Sequence, residues 1–280
     1  MNKNSLILSA LPLVMLMASC ATQAPVSSQS NAAEISQVAR GEPFTYDDYA
    51  SVLATYVNSE GEVDYATLKE NRDALDRFNA DLAALDRATY ESWTESQQIA
   101  FWINAYNSLT LHAIIDNYPV ESIRDISGVW TRLNFTVLGE AMTLDHIEHG
   151  ILRKDFNEPR IHMGLVCASI GCPLLRAEPF VGDRLATQLD EQTVEFLSYA
   201  RNFRLDRDSG EVLISSIFKW FGEDWKTTYG TEEKFEGFND EKRAVLNFIA
   251  EYVDEGDRSY MTEGEYKLKY LDYDWGLNKQ

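Results

Sequence analysis

The chain has 280 residues, 45% hydrophobic, 12% aromatic and 25% charged, which excludes disorder, collagen-like repeats and a multi-span membrane protein. Twenty-five basic residues against 45 acidic leave a net charge of −20. A surface of that sign repels phosphate backbones and excludes nucleic acid as a partner.

In chain order, the first element reads as an export signal. Lys3 is followed by an apolar run from Leu6 to Met17, too short to span a bilayer. The run ends in Leu16-Met17-Ala18-Ser19-Cys20, which resembles a bacterial lipobox. That resemblance implies removal of residues 1–19, lipidation of Cys20 and anchoring in a membrane. Ala21, where an inner-membrane lipoprotein carries aspartate, implies the periplasmic side of the outer membrane. Residues 20–43 are polar and small and read as a flexible tether. Nearly all the acidity lies beyond it, and no second linker follows, so residues 44–280 are expected to form one domain.

Thr45 with Asp48 predicts a capped helix bearing Tyr49, Val52, Leu53 and Tyr56 on one face. Val63-Asp64-Tyr65 predicts a short extended piece, and the spacing of Leu68, Leu75, Phe78, Leu82 and Leu85 an amphipathic helix. Thr94 and Gln97 form a capping box opening a long apolar helix to about Asn117. Asn134–Thr143 predicts a hairpin around Gly139-Glu140. Thr143 caps a short helix that carries Asp145 early and Arg153 and Lys154 late. Arg160–Val166 reads as a buried strand. Further expectations are a helix through Leu185, Leu189, Phe196 and Leu197, a hairpin from Phe203 to Ser215, a helix over 240–253 and a closing strand within Tyr266–Leu277. Helices dominate and hairpins join most strands, so the fold class is α+β, mostly helical with a small, mainly antiparallel sheet.

Three stretches carry candidate chemistry. In AFWINAYN (Ala100–Asn107), Asn104 and Asn107 sit in an apolar helix, where an unpaired amide costs about 1–3 kcal/mol. Each either ties down a loop or orients a catalytic imidazole. In TLDHIEHGILR (Thr143–Arg153), His146, His149 and Arg153 share a helix face, and Gly150 implies close approach of another backbone. In RIHMGLVCASIGCP (Arg160–Pro173), Cys167 runs into small residues, Ala168, Ser169 and Gly171, that let backbone N–H groups turn toward a site. Cys167 and Cys172 are a candidate structural disulfide, a reactive thiol, metal ligands, or a pair that switches between the first two states, since an oxidised pair would mask a nucleophile.

These stretches, with VDY (Val63–Tyr65) and YDWGLN (Tyr273–Asn278), make the chain from 44 to 278 resemble the family catalogued as domain of unknown function 547. The resemblance implies a single α+β domain on an exported bacterial protein and assigns no activity.

Three functions follow. The first is a cysteine-nucleophile hydrolase or acyl transferase, with Cys167 attacking, His149 or His162 as base and Asn104 holding the imidazole. Arg153, Arg160, Asn107 and Ser169 would contact substrate. The second is a non-catalytic envelope lipoprotein that binds a partner or ligand, with Cys167 and Cys172 bridged. The third is a metal site from His146, His149, His162 and Cys167. No motif calls for a cofactor, and the envelope substrate or protein partner is left open.

Overall fold

The capping box at Thr94 starts the element around which everything else packs. In the computed structural model, which describes residues 44–280, the Thr94 hydroxyl accepts from the Gln97 N–H, and the Gln97 side chain accepts from the Thr94 N–H. The expected signal, lipidation site and tether lie outside the described residues. Before this helix come α1 (Asp47–Tyr56), α2 (Tyr65–Glu70), α3 (Asp73–Ala84) and α4 (Arg87–Glu91). The long helix is α5 (Glu95–Asn117), 23 residues and about 35 Å long. Apolar on nearly all sides, it is buried from Ile99 to Leu111 and on to Ile115 with few breaks, as a core helix must be.

Local signals fail at two N-terminal places. Thr45 does not form a capping box: α1 starts at Asp47, and Thr45 accepts only a long 3.4 Å bond from the Asp47 N–H. The heptad-like run from Leu68 to Leu85 is divided between α2 and α3, which a break at Asn71-Arg72 separates. Both pieces still bury the expected face, including Leu68, Leu75, Phe78 and Leu82.

The hairpin of β1 (Phe135–Val137) and β2 (Glu140–Met142) turns through Leu138 and Gly139, both at positive φ. Thr143 then caps the next helix by accepting from the His146 N–H at 3.1 Å. That helix widens into a seven-residue π-helix, His146–Leu152. Gly150 makes room for a side chain of its own helix rather than for another backbone. A Cβ there would stand 2.6 Å from the His146 ring.

The expected strand over Arg160–Val166 is instead a single helical turn, α6 (Ile161–Gly164), followed by extended chain. The carbonyls of Glu158, Pro159 and Arg160 accept the first amides of that turn, which a lone strand would leave unpaired. Among the elements that follow are α7 (Leu185–Ser198), the antiparallel pair β3 (Phe203–Asp206) and β4 (Glu211–Ile214), α8 (Asp240–Tyr252) and α9 (Glu255–Glu263). The closing strand is short, β5 (Lys267–Tyr270), and runs parallel to β4 in a sheet of order β3-β4-β5. The domain is α+β and mostly helical. One apolar cluster surrounds α5, and a second, with Phe196, Phe218, Trp225 and Phe248, surrounds α8.

Candidate functional site

The tail after β5 is a tie that brings distant motifs together. Asn278 N–H donates to the Ala168 carbonyl, Ile170 N–H to Gly276 and Gly171 N–H to Asp274, so the tail runs beside the cysteine loop. On its other side, Val63 N–H donates to the Asn278 carbonyl, and the Tyr65 hydroxyl donates to Asn278 Oδ1 at 2.7 Å. VDY, YDWGLN and the cysteine loop therefore form one knot.

Asn104 and Asn107 of α5 hold loops, not imidazoles. Asn107 Nδ2 donates to the Gly164 carbonyl at 2.9 Å, and its Oδ1 accepts from the Val166 N–H at 2.9 Å. Asn104 does the same for Phe180, at 2.7 and 3.0 Å. Each amide pairs both atoms with backbone, and Asn107 fixes the chain one residue before Cys167. The expected pairing of Asn104 with a histidine is not formed.

The loop that follows is bent. Ala168 takes φ +58°, a left-handed conformation uncommon for a residue with a side chain. Cys172 N–H donates back to the Ser169 carbonyl at 3.0 Å. This turn puts the Cys172 sulfur 3.0 Å from the Cys167 N–H. Both cysteines are free thiols. The Tyr273 hydroxyl sits between them, 3.2 Å from Cys167 Sγ and 3.0 Å from Cys172 Sγ. Ser169 Oγ is 3.7 Å from Cys167 Sγ. Gly171 is required here, since a Cβ would meet the Tyr273 ring at 2.9 Å.

The two sulfurs differ. Cys172 is 3% exposed and Cys167 only half-buried. The hydrogen-bonded Cys172 thiol holds the Cys167 thiol below its usual value against the opposing effect of burial, with help from Tyr273 and Ser169. Burial pushes the Cys172 thiol well above the ordinary range, and Cys167 adds to the shift. Burial likewise keeps Tyr273 a neutral phenol.

His149 and His162 belong to a different cluster. His162 is buried, its Nε2 2.8 Å from Asp224 and its ring stacked 4.2 Å from Phe221. Arg153 grips the same carboxylate through Nε and Nη2 at 2.6 and 2.9 Å, and its Nη1 lies 2.8 Å from His149 Nδ1. Burial would raise the Asp224 carboxyl, but His162 and Arg153 hold it far below the usual range. Burial depresses His162 despite that carboxylate, so the ring is neutral at pH 7. Among the described residues neither thiol hydrogen-bonds an imidazole. Arg160 is tied to Glu158 and Asp190. Among the described residues His146, His149, His162 and Cys167 do not come together as one ligand set. Among the described residues no group of three or more His, Cys, Asp or Glu could hold a metal ion.

Sequence reasoning missed three participants, Asp224, Tyr273 and Glu148. Glu148, on the π-helix between the two expected histidines, has its carboxyl pushed up by burial, while His149 and the Tyr106 hydroxyl pull it down. Its charge bears on Cys167 and raises that thiol. Tyr273 also anchors an aromatic wall beside the loop. Its ring lies 4.6 Å from Trp275 and 4.9 Å from Trp220, and Trp130 follows at 6.1 Å from Trp275. Trp220 is 46% exposed and Ile170, on the loop, 40%. Arg124 lies over the Trp275 ring at 5.2 Å. By contrast, the hollow of about 560 Å³ between Asn58, Leu174–Glu178 and Glu195 includes neither thiol, and Arg176 there is already paired with Glu178 and Glu191.

No curated protein and no solved structure matches the chain. Residues 90–197, from α4 through α7 and so including Asn104, Asn107, the π-helix and the cysteine loop but neither VDY nor YDWGLN, match the family described as "Protein of unknown function, DUF547".

Proposed function

We propose that the protein is a cell-envelope lipoprotein, anchored through Cys20 on the periplasmic side of the outer membrane, that binds its ligand without transforming it. The aromatic wall of Tyr273, Trp275, Trp220 and Trp130 beside the cysteine loop is the observation that carries this reading. The exposed Trp220 indole, backed by half-buried Trp130 and Trp275 on an otherwise acidic, well-packed domain, favours a ligand with flat apolar faces. That neither thiol hydrogen-bonds an imidazole among the described residues supports binding over cysteine–histidine catalysis.

The test is a tryptophan-fluorescence titration of the mature chain carrying Cys20→Ser against solubilised peptidoglycan fragments and against lipopolysaccharide. A saturable change with one of them, weakened at least tenfold by Trp220→Ala, supports the reading. Saturable binding that Trp220→Ala leaves intact, or no binding to either, overturns it. A thiol hydrolase or acyl transferase stays as the second reading because the Cys167 thiol is lowered. Thioester turnover that Cys167→Ser abolishes would favour it.

A further inference from the structure

Cys167 and Cys172 differ in the way that the two members of an exchanging pair must differ. One cysteine, Cys167, is only half-buried and follows directly on the Asn107 clamp at Val166. The other is buried directly behind it, against the Cys167 backbone N–H. The turn at Ala168–Cys172 holds both on the Tyr273 hydroxyl, within 3.2 Å of the same atom. A structural bridge has no use for that asymmetry, and a hydrolytic nucleophile has no use for the second sulfur.

We propose that Cys167 and Cys172 are a dithiol–disulfide couple that exchanges with an external disulfide, Cys167 attacking and Cys172 resolving. The inference is independent of the binding reading. In the first step the Cys167 thiolate attacks one sulfur of R–S–S–R′, the S–S bond breaks, and R′S⁻ leaves and takes a proton. In the second, the Cys172 thiol gives its proton to solvent and attacks the Cys167 sulfur of the mixed disulfide, and RS⁻ leaves and is protonated. The two cysteines are oxidised by two electrons, and the external disulfide is reduced to RSH and R′SH. The lowered Cys167 thiol suits the attacking role, and the raised Cys172 thiol keeps the resolving sulfur silent until the mixed disulfide forms. The Tyr273 hydroxyl, a neutral donor within reach of both sulfurs, positions them and can stabilise whichever carries charge.

The experiment equilibrates the mature Cys20→Ser chain with mixtures of reduced and oxidised glutathione, quenches with N-ethylmaleimide and reads intact mass and peptide maps. Cys167 and Cys172 should be lost together in one two-electron transition. In the reduced protein, Cys167 should alkylate at least tenfold faster than Cys172. Cys172→Ser should accumulate a glutathione mixed disulfide at Cys167, while Cys167→Ser should leave Cys172 unmodified. Two thiols that stay free in oxidised glutathione, or oxidise separately, would overturn the proposal. So would capture of glutathione by Cys172 in the Cys167→Ser chain. The titration of the unsubstituted pair stands if a single-cysteine variant fails to fold.

Discussion

Replacing Asn107 by Ala removes the clamp that sets the cysteine loop. The amide makes two buried bonds, to the Gly164 carbonyl and from the Val166 N–H, both 2.9 Å. Truncation leaves one backbone acceptor and one backbone donor in the core without partners. At about 1–2 kcal/mol each, the expected loss is about 2–4 kcal/mol. With a urea slope of about 3 kcal/mol/M for a domain of this size, the unfolding midpoint should fall by about 1 M. The loosened loop should also expose sulfur, so Cys167 should alkylate several-fold faster in native buffer. Asn104→Ala is the internal control, because it breaks an equivalent pair of bonds to Phe180. It should cost similar stability and leave Cys167 alkylation unchanged. A midpoint shift under about 0.3 M for Asn107→Ala would refute the clamp. Equal acceleration of alkylation by both variants would refute its assignment to the cysteine loop.

Glu148→Gln removes a charge that raises the Cys167 thiol, so Cys167 should alkylate at lower pH than in the parent. An unchanged or upward-shifted profile would contradict that placement. Acidification should destabilise the fold through His162, whose folded value lies below the ordinary 6.5. Its contribution is complete above pH 6.5 and is lost as pH falls below it, because the unfolded chain then takes a proton that buried His162 refuses. Each unit of the shift is worth at most about 1.4 kcal/mol. Urea midpoints between pH 7.5 and 5.5 should therefore fall, and His162→Gln should flatten the fall; equal slopes would count against a buried neutral imidazole.

Where a feature rests on local chemistry, it was legible. The box at Thr94 and Gln97 fixed the start of α5, and the β3–β4 hairpin turns at Ser209-Gly210 as its residues suggest. The run Ile161–Val166 misled because a short apolar stretch reads alike as a buried strand or a buried helical turn. Around Gly150, a face shared by His146, His149 and Arg153 presumes 3.6 residues per turn, and the π-helix changes that spacing. Cys167 and its small neighbours were visible. Tyr273 and Asp224 were not assigned, since they reach the thiols and His162 from 106 and 62 residues away and no periodicity spans that distance.

The central claim is that the thiols are served by each other and by Tyr273, and not by an imidazole. The direct measurement is the pH dependence of iodoacetamide alkylation at Cys167 in the mature Cys20→Ser chain, alone and with His149→Ala or His162→Gln. The account predicts that the three profiles coincide within about 0.3 pH units, well under the 1.4 kcal/mol that one full unit represents. A rise of a unit or more in the apparent thiol pKa on removing either histidine would contradict it.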